Sequence, residues 1–177
     1  MFRQILVPVD LTEKNRTAVD VAAGLWQAAG AGARLTLLHV IETIDHVPFE
    51  ELEDFYAMLQ RKAEAGLEEL AGRLPEAGGG GSGGGGTGGT GDEGTGSEGT
   101  GAGADGSDTS GATPAEVRRR VVYGHRARAI VDFAGQQGCD LIVLSSHRVD
   151  PERRGEDWAT LSHKVAILSP CPVLLVK

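Results

Sequence analysis

Short, continuously apolar runs alternate along this chain with longer segments whose apolar residues recur at helical spacing. Phe2 to Val9 contains the run Ile5-Leu6-Val7-Pro8-Val9 and stops at Asp10, the pattern of a buried strand. From Thr12 or Asn15, either suited to an N-cap, a helix is predicted to about Gly30, with Ala18, Val21, Ala22, Leu25 and Ala29 along one face. Arg34 to Ile41 reads as a second strand. A loop through Asp45 and Pro48 leads into a helix from about Phe49 to Leu74. Val117 to Tyr123 alternates basic and apolar residues as a third strand, and a helix follows from about Arg126 to Gln137, closed by Gly138. Leu141 to Leu144 is a fourth buried strand. A loop from Ser145 to Trp158, a helix near Thr160 to Leu168, the stop Pro170-Cys171-Pro172 and a last strand, Val173 to Val176, complete the series. Strands with no polar alternation, separated by helices, predict an α/β fold: a single doubly wound, mostly parallel five-stranded sheet with helices on both faces, Rossmann-like.

Composition changes this picture at one place. Of the 177 residues, the segment at about 76–113 is mostly Gly, Ser and Thr, carries Asp92, Glu93, Glu98, Asp105 and Asp108 among its glycines, and is without Lys or Arg. It lacks the apolar side chains to offset its conformational entropy and is expected to be a disordered insertion within one domain spanning 1–177. About 35 flexible residues have a root-mean-square span of about 30 Å, so the insertion connects almost any two points of a domain. Much of the net charge of −8 resides there. The rest is mildly acidic, with no basic stripe for a nucleic acid. Cys139 and Cys171 each sit in an apolar run that reads as core, which is no disulfide framework and fits a reducing compartment. No signal-peptide pattern and no apolar run near the ~20 residues of a bilayer span occur, so a soluble cytoplasmic protein is expected.

In an open parallel sheet, ligands bind beyond the carboxyl ends of the strands, where strand order reverses. That selects Asp10, Val40 and the stretch from Ser145 to Thr160. Asp10 suits either a ligand contact or orientation of the strand-to-helix turn, a frequent use of Asp. Ser145, Ser146, His147 and Asp150 are residue types of a hydrolytic triad, but they crowd together in sequence and G-x-S-x-G is absent, so no catalytic residue is assigned. His39, His125 and His163 lack metal-ligand spacing, and no metal is expected.

Ile5-Leu6-Val7-Pro8-Val9-Asp10, Leu38-His39-Val40 and Asp140-Leu141-Ile142-Val143-Leu144-Ser145-Ser146-His147 together resemble motifs of the universal stress protein family. Leu161-Ser162-His163-Lys164-Val165 and Pro170-Cys171-Pro172-Val173-Leu174-Leu175-Val176 extend the likeness to all of the chain except the insertion. The resemblance implies a fold like that of the adenine nucleotide alpha hydrolases, a role in stress response and, in the ATP-binding members, a loop G-x-x-G followed by G-[ST] after the fourth strand. Such glycines let backbone N–H groups approach phosphate, and the next helix offers its N-terminal dipole. Here Ser145, Arg148 and Ala159 stand where the family has glycine, and Thr160 alone keeps the expected hydroxyl. Asp10 matches the contact to the adenosine part and Val40 a position beside adenine.

Two readings follow. One is a non-enzymatic regulatory or interaction protein with an unknown protein partner, not binding ATP in the usual family manner. The other is a sensor of ATP or AMP in which Arg148 and its neighbours, Arg153 and Arg154, replace the glycines through charge-assisted hydrogen bonds. The candidate nucleotide contacts are Asp10, Val40, Ser145, His147, Arg148, Ala159 and Thr160. A phosphoacceptor receiver is excluded because Tyr123-Gly124-His125 offers no carboxylate after the third strand, and Asp10 to Asn15 is a poor flavin-phosphate loop. The resemblance also implies a homodimer through the last strand, Val173, Leu174, Leu175 and Val176, whose apolar edge carries no protecting charge before Lys177.

Overall fold

The computed structural model describes residues 1–44, 49–75, 115–146 and 160–177. The glycine-rich insertion and the expectations for residues 147–159 lie outside the described residues. Five strands, β1 (Gln4–Pro8), β2 (Arg34–Ile41), β3 (Glu116–Tyr123), β4 (Leu141–Ser145) and β5 (Val173–Val176), form one sheet in the order β3-β2-β1-β4-β5. Every pairing is parallel. The helices are α1 (Arg16–Ala29), α2 (Glu53–Gly72), α3 (Arg126–Gln136) and α4 (Leu161–Leu168), with 3-10 turns at Glu13–Asn15 and Phe49–Leu52.

The crossovers first step outward from β1 to β3, then return to β4 and β5 on the other side. The helices therefore divide between the faces. Ile5, Val7, Leu35, Leu37, Leu141 and Val143 pack against Ala18, Val19, Ala22 and Trp26 of α1 and Leu67 of α2. Their sequence neighbours Leu6, Leu38, Val40, Ile142 and Leu144 pack against Ile130 and Ala134 of α3 and Val165 of α4. Both faces of the central strands are thus covered, which is why apolar residues occupy consecutive positions there rather than every second one, with Thr36 and His39 the polar exceptions inside β2.

The edge strands are less buried and use different surfaces. On β3, Glu116 takes Arg118 at 2.7 Å and Arg34 at 3.1 Å, and Arg119 pairs with Glu68 of α2. A charged edge resists pairing with another sheet. At the opposite edge, Leu174 and Leu175 of β5 are 38% and 39% exposed, and Ile167 and Leu168 of α4 are 67% and 59% exposed.

Local signals act as the sequence suggests at α3. Gly138 adopts φ +60°, Cys139 N–H reaches Ala134 C=O at 2.9 Å and Gly138 N–H reaches Gly135 C=O at 3.3 Å, the two bonds of a Schellman cap. Gly24 has no such reason to be glycine. It lies inside α1 with nothing within 4 Å of a built Cβ. Gly24→Ala is expected to raise the unfolding free energy by about 0.5–1 kcal/mol, read as a higher urea midpoint at unchanged m.

Cys139 and Cys171 are half-buried at the margin of the α3/α4 face rather than within the core. The thiol of Cys139 is pushed up to about 11, by burial first and then by Cys171 and Asp140. At pH 8, its alkylation by iodoacetamide is expected to run about a hundredfold slower than that of an ordinary thiol of pKa ~8.5.

Candidate functional site

The strand order reverses between β1 and β4, and the connection from β1 to α1 lies over that reversal. This connection is held residue by residue. Val9 donates its N–H to Leu38 C=O at 2.8 Å, and its own C=O lies 2.9 Å from Nδ1 of His39. A carbonyl only accepts, so Nδ1 carries the proton. The Asp10 carboxylate accepts from Thr12 N–H at 2.9 Å and Thr12 Oγ1 at 2.6 Å, the turn-orienting use of aspartate. Leu11 then takes φ +61°, a left-handed conformation uncommon for a residue with a side chain. Its side chain rests on α2 at Gly66, where a Cβ would come within 3.1 Å of the Leu11 methyl carbon.

Thr12 and Asn15 both precede helical turns, yet neither side chain caps one. Thr12 is taken by Asp10. Asn15, 5% exposed, accepts from Asp10 N–H through Oδ1 at 2.7 Å and donates through Nδ2 to Ser145 Oγ at 2.8 Å. It therefore fastens the connection to the end of β4. Thr160, by contrast, does cap α4, accepting from His163 N–H at 3.4 Å. Ser162 Oγ joins Thr160 Oγ1 at 3.2 Å and Ser146 Oγ at 3.4 Å, linking the start of α4 to β4.

Between these parts lies a cavity of about 210 Å³. Leu38, Val40, Leu144, Ile130 and Leu161 give it apolar walls. Asp10, Lys14, Asn15, His39, Arg126, Ser145 and Ser162 give it polar ones. Arg126 is held at 3.1 Å by Glu42. Apolar walls with a few convergent polar groups are the general make-up of a small-molecule pocket. A second hollow of about 180 Å³, between α1 and α2 beneath Leu11, is lined by Glu13, Arg16, Glu69 and Arg73, which already pair with one another.

Of the residues selected from sequence, Asp10, Val40 and Ser145 converge on the first cavity, whereas Thr160, which precedes the lining residue Leu161, does not line it. His147, Arg148 and Ala159 lie outside the described residues. Val173 to Val176 form the far edge of the sheet. The hydroxyl of Ser145 meets an amide donor, Asn15 Nδ2, which cannot take a proton from it. Asn15, Arg126 and Ser162 were not legible as site residues. Asn15 in particular carried only the signal of a helix cap.

With this geometry, the sequence profile described as "Universal stress protein family" matches residues 1–177. The chain belongs to the universal stress protein family. Similar solved folds include universal stress protein UspA from Lactobacillus plantarum, 21% identical over 99% of this chain and 98% of that one, with a TM-score of 0.57. A universal stress protein in complex with cAMP is 19% identical over 99% and 96%, with a TM-score of 0.57. The universal stress protein from Archaeoglobus fulgidus in complex with dAMP is 13% identical over 99% and 98%, with a TM-score of 0.54. At these identities the likeness is one of fold. No curated protein sequence matches the chain. Among the described residues, no helix is long and apolar enough to cross a membrane.

Proposed function

We propose that this universal stress protein is a non-enzymatic regulator that binds an adenine nucleotide with a short phosphate chain in the cavity at the strand reversal. The observation that carries this reading is the convergence of Asp10, Val40 and Ser145, from three separate segments, on one apolar-walled cavity. The folds solved with cAMP and dAMP support the choice of ligand class. Adenine lies against Val40, Leu38 and Ile130. The Asp10 carboxylate has one oxygen engaged by Thr12, leaving the other for the ribose. The phosphate lies toward Ser145 and Thr160, where the sequence also nominates His147, Arg148 and Ala159. A triphosphate is disfavoured, because side chains replace glycines where backbone would approach the phosphates.

Calorimetric titration with AMP and ATP, each with and without magnesium, tests the proposal. AMP is expected to bind in the micromolar range, more tightly than ATP. Asp10→Asn keeps the oxygen that holds Thr12 and removes the charge, and is expected to weaken AMP about tenfold. Silence of the folded protein up to millimolar AMP overturns the proposal.

A second reading, an interaction protein that works without nucleotide, draws on the exposed apolar surface of Leu174 and Leu175 with Ile167 and Leu168. Pairing of β5 with β5 of a second copy across a two-fold axis would cover it. Sedimentation at micromolar concentration is expected to give a dimer, and Leu174→Lys a monomer. A wild-type monomer would remove the basis for this interface.

A further inference from the structure

The buried amide of Asn15 determines which way one hydroxyl proton points. Its Oδ1 accepts from Asp10 N–H at 2.7 Å, so Nδ2 is the atom facing Ser145, and it donates to Ser145 Oγ at 2.8 Å. A serine hydroxyl that accepts from a neighbour still has one proton to donate. Among the described residues Ser145 Oγ donates no hydrogen bond, and Ser145 lines the cavity. Lys14 lines the same cavity without an ion pair among the described residues. With the free Asp10 oxygen given to the ribose, a proton donor and an ammonium on one cavity call for a second anionic group, one that the ligand supplies.

We propose that Asn15 is the positioning residue of this site, turning the Ser145 hydroxyl proton into the cavity so that Ser145 and Lys14 read a phosphate oxygen of the ligand. The inference rests on the nucleotide reading above and adds to it the residues that distinguish a nucleotide from its nucleoside. A ribose hydroxyl would be served by either orientation of Ser145, because it both donates and accepts. A phosphate dianion is served by only one.

Asn15→Asp provides the decisive substitution. The introduced carboxylate retains an acceptor for Asp10 N–H but has no proton for Ser145. The serine proton then turns inward to the carboxylate, away from the ligand. Titrations with AMP and adenosine, combined with amide exchange at Asp10, separate this from a structural role. The wild type is expected to prefer AMP over adenosine by tenfold or more. Ser145→Ala is expected to weaken AMP about tenfold and leave adenosine unchanged. Asn15→Asp is expected to lose the same preference while Asp10 N–H stays slow to exchange, whereas Asn15→Ala speeds that exchange. In a Ser145→Ala background, Asn15→Asp is expected to have a smaller effect, from the added charge alone. Equal losses for AMP and adenosine in Ser145→Ala would overturn the inference while leaving nucleotide binding intact. So would an undiminished AMP preference in Asn15→Asp. A wild type that binds neither ligand would overturn the nucleotide reading and this inference together.

Discussion

Trp26→Ala is expected to lower the unfolding free energy by about 3–5 kcal/mol, a large part of the ~5–15 kcal/mol that holds an ordinary domain. Trp26 is 1% exposed and belongs to the cluster that joins α1 to Ile5, Leu35 and Leu141 across three strands. Its indole N–H also donates to Ala33 C=O at 3.1 Å, fixing the turn that leads into β2. Alanine would leave a void that the surrounding strands cannot close, because each is locked by parallel ladders on both sides. Trp26→Phe keeps most of the ring and is expected to cost much less. Ala33 C=O remains satisfied there by Glu116 N–H at 2.9 Å. Urea unfolding followed by far-UV circular dichroism measures both, and a loss under 1 kcal/mol in Trp26→Ala would contradict this view of the core.

The second large effect is expected on the other face. The fully buried residues of α3 are Ile130 and Ala134, so Ile130 is its main anchor, with Val131 and Phe133 packed at the margin of the same cluster. Ile130→Ala is expected to cost about 2–5 kcal/mol in the same unfolding measurement. Ile130 is also a wall of the switch-point cavity. The substitution therefore enlarges the space next to Val40, and AMP is expected to bind more weakly as contact with the base is lost. An unchanged urea midpoint would mean that α3 is held by something other than this contact.

The sequence discloses the sheet because its central strands are covered on both faces and so run apolar at consecutive positions, broken between Leu35 and Ile41 only by Thr36 and His39. Ile5 to Val9, Leu35 to Ile41 and Leu141 to Leu144 could hardly be read otherwise. Boundaries were also legible where a turn residue has one use, as at Gly138. The site was legible in part for a different reason. Strand ends and the rule of the reversal point lead to Asp10, Val40 and Ser145 without any knowledge of contacts. Asn15 could not be found this way, because its two partners are five and 130 residues away, and local sequence says only that asparagine favours helix starts. Asp10 illustrates a related limit. Both of its readings use the same carboxylate, and only the distances to Thr12 reveal that the turn already occupies one oxygen. Leu11 gave no signal at all, since a left-handed leucine is tolerated through a notch that Gly66 provides from a distant helix.

Binding of an adenine nucleotide in the cavity at the β1–β4 reversal, as proposed, is open to amide chemical-shift mapping of isotopically labelled protein titrated with AMP. The expected result is a saturable set of shifts centred on the amides of Asp10, Val40 and Ser145, with β3 and the hollow between α1 and α2 unmoved. Shifts confined to another surface, or none up to millimolar AMP, would contradict it.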